Sequence, residues 1–137
     1  MSVLIVDAAN VVGSRPDGWW RDRAGAAERL LGRLAAVPGT TLTGPDGGPV
    51  TCTEVVAVVE GKAREAAAPD GVRVVRAPGS GDDAIVASAE ELAVDGVPLL
   101  VVTADRGLRS RLQPGTAVAG PGWLLAELDR IGCAPPA

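Results

Sequence analysis

Four carboxylates stand where strand-like apolar runs give way to loops or helices. Asp7 follows Val3-Leu4-Ile5-Val6, Asp82 and Asp83 open an apolar-periodic segment, and Asp105 lies just past Leu99-Leu100-Val101-Val102-Thr103. In an open parallel α/β sheet the strand carboxyl ends and the following helix N-termini share one edge, so carboxylates far apart in sequence converge there. Converged carboxylates repel one another unless a cation sits among them. The pattern therefore points to a divalent-metal site, and hard oxygen ligands select Mg²⁺, Mn²⁺ or Ca²⁺ over Zn²⁺.

The composition narrows the chemistry further. The chain has no His and no Tyr, which leaves carboxylates, Lys or Cys to move protons or attack as nucleophiles. Cys52 and Cys133 are too few and too isolated for a thiolate metal cluster or a disulfide framework. They read as small, mostly inert thiols of a reducing compartment.

Each carboxylate also has a plainer reading. Asp82 precedes Ile85 and Val86 by three and four residues and so starts the inward stripe of a helix, whereas Asp83 is rotated from it by about 100°. Asp82 is the better candidate to face a central site. Alone, either aspartate serves equally well as a helix N-cap worth about 1 kcal/mol or as a first-turn charge. Asp7 is expected to be partly buried, where an unpaired carboxylate costs several kcal/mol or takes up a proton. Asn10 either caps a turn or holds Asp7 and a phosphate, and Asp105 doubles as the cap of a short helix.

The elements that position these residues follow from periodicity and punctuation. Ser2 to Val6 reads as a buried first strand, Asn10 to Asp17 as a loop, and Trp20 to Val37 as a helix stopped by Pro38-Gly39. Thr40 to Thr43 and Val50 to Thr53 form a hairpin excursion before a central strand Glu54 to Val59. Lys62 to Ala68 is a short connection, Val72 to Arg76 a strand, and Asp82 to Val94 an amphipathic helix. Pro98 to Thr103, Asp105 to Leu112, Thr116 to Ala119 and Trp123 to Ile131 complete the pattern as strand, helix, strand and helix. This alternation predicts one α/β domain over residues 1–137, a mainly parallel sheet with right-handed crossovers and helices on both faces.

At 137 residues the chain is long enough to bury roughly two-thirds of its unfolded surface in a single core. It enters a strand at once, and no apolar run approaches the ~20 residues needed to span a bilayer. A soluble, cytoplasmic protein with no membrane partner is expected. The net charge of -4 argues against a broadly basic coat for nucleic acid, yet an acidic centre neutralised by metal leaves an RNA substrate open.

The stretch Asp7-Ala8-Ala9-Asn10-Val11-Val12-Gly13 resembles the first-strand motif of NYN domains, a branch of the PIN-like nuclease superfamily. Gly81-Asp82-Asp83-Ala84-Ile85-Val86 and Val101-Val102-Thr103-Ala104-Asp105-Arg106-Gly107-Leu108 look like its two later motifs. Order and spacing match over nearly the whole chain, with Thr40 to Thr53 least accounted for. The resemblance implies a PIN-like fold, a Mg²⁺- or Mn²⁺-dependent ribonuclease, and Asp7, Asn10, Asp82, Asp83 and Asp105 as site residues. Asp7, Asp82 and Asp105 are the expected catalytic set, and all four aspartates the expected metal ligands.

Two positions depart from the family pattern. Arg109 stands where several members carry a further acidic residue, and Ala9 where an aromatic often precedes the motif asparagine. Glu60, at the end of the central strand, is either the missing carboxylate or a solvated partner of Lys62.

Around this centre, Ser80 with its neighbouring glycines could offer amides to a phosphate, although glycines are also what a tight loop needs. Thr103 could hold Asp105 or a bound water. Arg106, Arg109 and Arg111 on one side, and Arg15, Arg21 and Arg23 on the other, form two basic rims suited to a single-stranded RNA backbone, or simply solvated helix faces. Trp19-Trp20 could stack bases, with a core or staple role for at least one of the two the favoured reading. Nothing in the sequence sets an oligomeric state or an RNA target.

Two other functions compete. A catalytically weak PIN-like module that binds RNA or a protein partner is motivated by Arg109 and the acidic charge. A phospho-accepting receiver-like domain is opposed by Glu60 at the place of the acceptor aspartate and by the lack of a lysine after the fifth strand.

Overall fold

The computed structural model of the chain describes residues 2–132, so Cys133 lies outside them. The first strand, β1 (Ser2–Asp7), is buried from Val3 onward. A strand that is apolar at every position has no solvent face and must be covered on both sides. β1 accordingly lies in the middle of a parallel sheet, between β3 (Pro49–Val59) and β5 (Leu99–Val102). β4 (Val72–Arg76) adds in parallel to β3, and β6 (Ala117–Ala119) to β5.

Side-chain alternation sorts the core into two layers. Leu4 and Val6 of β1, Val55, Ala57 and Val59 of β3, and Leu100 and Val102 of β5 face one way. They pack on helices α1 (Ala8–Val12), α2 (Arg23–Leu34) and α5 (Pro121–Gly132). Val3, Ile5, Val56, Val58 and Val101 face the other way, onto Ile85 and Ala89 of α3 (Gly81–Val94) and Leu108 of α4 (Arg106–Arg111). The expected α/β architecture, one sheet with helices on both faces, is therefore present. No helix among the described residues is long and apolar enough to cross a membrane.

Three local expectations change. The loop expected from Asn10 begins instead as helix: Ala8–Val12 form a five-residue helix because Asp7 caps it, its carboxylate accepting the Asn10 amide. The helix expected from Trp20 instead begins at Arg23, after a 3-10 turn over Trp19–Arg21. Asp22 caps it through the Gly25 amide at 2.9 Å. A Cβ on residue 25 would stand 2.3 Å from Asp22 Oδ2, so a larger residue there would make the capping carboxylate turn.

The hairpin arm and the central strand are a single element, the 11-residue β3, whose first residues pair antiparallel with β2 (Thr41–Thr43). Its later residues pair in parallel with β1. The hairpin is tied to α5 by Glu127, which accepts the Thr43 amide at 2.7 Å, and by the Trp123 indole, which donates to the Thr43 carbonyl at 2.9 Å.

Candidate active site

β1, β3 and β5 end side by side, and each delivers a polar residue to that edge. Asp7 terminates β1, Glu60 follows β3, and Thr103 follows β5. In an open α/β sheet this crevice beyond the strand carboxyl ends, where chain order reverses across the sheet, is where ligands are expected. Here β1 is the strand from which the chain proceeds to β3 on one side and later to β5 on the other.

Asp7 is only 6 % exposed. Its Oδ1 accepts the Asn10 amide at 3.3 Å and its Oδ2 accepts the Thr103 hydroxyl at 3.0 Å. Burial pushes its carboxyl above the ordinary range by more than these two bonds pull it down, and the charges of Asp82 and Glu60 add to the rise. Thr103, fully buried, also accepts the Asp105 amide on its hydroxyl at 3.1 Å. One hydroxyl thus joins the ends of β1 and α4.

Asp105 caps α4, its Oδ1 accepting the Leu108 amide at 3.0 Å. Asn10 turns its side-chain oxygen to the Ala104 amide at 2.8 Å, so its side chain braces the α4 loop while its backbone N–H holds Asp7.

Asp82 stands in the first turn of α3, partly exposed. Desolvation raises its carboxyl, and repulsion from Asp105, Glu60 and Asp83 raises it further against the opposing pull of Arg111. Asp82 therefore feels the other carboxylates of the edge, as its place on the inward helix stripe predicts. Asp83, rotated away, pairs instead with Arg111 at 2.7 Å on the exposed rim.

Glu60 faces the start of α3. Its Oε2 accepts the Gly81 amide at 2.6 Å, and its charge reaches both Asp7 and Asp82. A Cβ on residue 81 would sit 3.2 Å from the Glu60 carboxyl, so the glycine makes room for it. Ser80 caps the same helix, its hydroxyl accepting the Asp82 amide at 3.2 Å. Those two amides are thus already engaged by Glu60 and Ser80, which favours the tight-loop reading of the glycines over an amide cradle for phosphate.

The arginines divide by what holds them. The Arg109 guanidinium donates twice to the Thr103 carbonyl, at 3.3 and 2.9 Å, and braces the β5 end from outside. Arg111 is engaged by Asp83, Arg15 lies 3.7 Å from Asp129, and Arg23 stacks on Trp19, 5.4 Å from the ring centroid. Arg106 is exposed and makes none of these contacts. Neither Trp19 nor Trp20 joins the core, so the core half of the expected core-or-staple role is not met: half-buried Trp19 and 50 % exposed Trp20 meet edge to face with centroids 5.9 Å apart.

The donor set, Asp7, Glu60, Asp82 and Asp105 with the Thr103 hydroxyl, is all oxygen and carries excess negative charge, which fits a hard divalent cation in kind. Among the described residues, no three such side chains are arranged to hold one metal ion as they stand. The carboxylates face a common edge without closing on it.

A sheet buried on both faces, with carboxylates gathered where β1, β3 and β5 end, makes this an α/β domain with an acidic edge. Over 96% of its length the chain matches the crystal structure of Rae1 (YacP) from Bacillus subtilis, with a TM-score of 0.70, 18% identity and 76% of that chain covered. A tryptophan-to-leucine mutant of the same protein matches with a TM-score of 0.67, 20% identity, 96% of this chain and 77% of that one. At such identities the likeness is one of fold. No family model and no curated protein sequence matches the chain.

Proposed function

We propose that the chain is a Mg²⁺- or Mn²⁺-dependent ribonuclease that hydrolyses single-stranded RNA at this carboxylate edge. The observation that carries the reading is Asp7: a buried carboxylate kept at a strand end with Glu60 and Asp82 acting on it electrostatically. Like charges gathered at a partly buried edge repel unless a proton or a cation compensates them, and the all-oxygen donor set suits a cation. The motif resemblance to NYN domains and the likeness in fold to Rae1 (YacP) support the same reading.

A divalent cation held here by Asp7, Asp82, Asp105 and Glu60 would supply an activated water and charge neutralisation at the phosphodiester. The chain's own residues account for the rest. Thr103 and Asn10 orient Asp7, and Asn10 fixes the α4 loop that carries Asp105. Asn10, Arg15 and Ala104 border an open groove of about 420 Å³ beside the edge, a path that a phosphodiester backbone could follow. Arg106 supplies positive charge next to Asp105. With no histidine in the chain, proton transfer to the leaving 3′ oxygen falls to solvent.

The second reading, a catalytically weak module that binds RNA or a protein partner, draws on Arg109, which occupies a brace rather than a ligand position. Incubating a labelled single-stranded RNA with the protein in Mn²⁺ separates the two. Cleavage lost in both EDTA and Asp7→Asn is the expected result. Binding without cleavage would favour the second reading, and neither binding nor cleavage at low salt would overturn both RNA functions.

A further inference from the structure

Beside the carboxylate edge lies a second groove, of about 480 Å³, bordered by Ala8, Ala9, Trp19, Arg23, Glu60 and Ser80. Its size falls in the range of sites for small organic groups. It is continuous with the edge: Ala8 is the next residue after Asp7, Glu60 holds the start of α3, and Ser80 caps that helix. Its far wall is the Trp19 indole with the Arg23 guanidinium laid over it. A groove walled by an indole and a guanidinium, with small alanines elsewhere, takes a flat ring by stacking on either plane, and a stacked ring next to a phosphate-handling edge is a nucleobase.

We propose that this groove holds one unstacked base of a single-stranded RNA, that of the nucleotide adjoining the phosphate at the carboxylate edge. The proposal deepens the ribonuclease reading and rests on it. Glu60, whose Oε2 is engaged by the Gly81 amide, closes the groove on the side of the edge. The Ser80 hydroxyl, an acceptor for the Asp82 amide, keeps its own hydrogen to donate. Stacking on an aromatic is tolerant of base identity, so the groove fixes where the strand is cut more than which base lies there.

The test uses one short RNA of fixed sequence and the set of its versions with a single abasic ribonucleotide at each position in turn. For the wild-type protein in Mn²⁺, kcat/KM should fall about tenfold or more when the missing base adjoins the cleaved bond. Elsewhere it should change little. Trp19→Ala should cut the intact strand and that abasic strand equally. Ala9→Leu, an exposed helical position whose larger side chain fills the groove, should abolish the same difference with the indole intact.

Wild-type cleavage indifferent to every abasic position would overturn the groove proposal alone. So would a folded Trp19→Ala or Ala9→Leu protein that keeps the wild-type ratio. If RNA is bound and not cut, the ratio is read from Kd with the same expectations. If no RNA is bound or cut, the ribonuclease reading fails and the proposal falls with it.

Discussion

The hydroxyl of Thr103 donates to Asp7 Oδ2 across 3.0 Å while accepting the Asp105 amide across 3.1 Å, which ties the Asp7 carboxylate to the backbone that carries Asp105, 98 residues away in sequence. Because Thr103 is fully buried, no water replaces its hydroxyl without repacking. The geometry of the edge therefore depends on one side chain that carries no charge.

Thr103→Val keeps the volume and removes both bonds. It should destabilise the fold by about 1–3 kcal/mol, the cost of leaving buried polar groups unpaired, and raise the Asp7 carboxyl further. Thr103→Ser should recover most of the loss. Urea denaturation of the three proteins checks this; a valine variant as stable as wild type would show that the hydroxyl is dispensable.

The raised Asp7 and Asp82 carboxyls make stability depend on pH in a definite direction. A folded carboxyl that binds its proton more tightly than the unfolded chain does contributes stability that is complete below the ordinary carboxylate range. That contribution is lost as pH rises through the folded pKa. Asp7→Asn keeps the shape of the neutral acid and cannot ionise, so its melting temperature should exceed that of wild type at neutral pH. The gap should close below about pH 4, and catalysis should be absent throughout. A gap that widens toward acid would reverse the assignment.

Much of this edge was legible from residue types alone, because an aspartate straight after an apolar strand has few places to go. Asp7, Asp82, Thr103 and Asp105 fall at strand ends or a helix start as the periodicity places them, and Asp83 is turned to the rim by the helical angle that separates it from Asp82. Glu60 was visible but ambiguous, since only the Gly81 amide, 21 residues away in sequence, decides which way it faces. The helix at Ala8–Val12 escapes a periodicity argument: five residues are too few for a repeat, its valines are poor helix formers, and a cap with tertiary packing makes it. The arginine rims are set in part by partners distant in sequence, Asp83 for Arg111 and Asp129 for Arg15, and the Trp19-Arg23 contact by how the chain turns into α2.

Metal should act on stability as well as on rate. A cation that binds the folded edge and not the unfolded chain stabilises by mass action, about 2.7 kcal/mol at a hundred times Kd. For a domain of this size that is roughly 8 °C in melting temperature. Mn²⁺ should give this shift to wild type and little of it to an Asp7→Asn, Asp82→Asn double variant. Equal shifts in the two proteins would place any metal effect away from the edge.

The arginines should separate in experiment as they separate in contacts. Arg106 is exposed and free of the braces that engage its neighbours, so Arg106→Ala should leave the melting temperature unchanged. If Arg106 contacts a phosphate, the variant should weaken single-stranded RNA binding without altering sequence preference, and should reduce the salt slope by about 0.7. Arg109 donates to the Thr103 carbonyl through two nitrogens, so Arg109→Ala should instead cost about 1 kcal/mol of stability, discounted for the exposure of its guanidinium. Because the brace fixes the β5 end that presents Thr103 to Asp7, Arg109→Ala should lower kcat more than it raises KM, the opposite of Arg106→Ala. Salt-dependent binding and melting curves on the two variants decide it: identical salt slopes for Arg106→Ala and wild type would remove Arg106 from the RNA path.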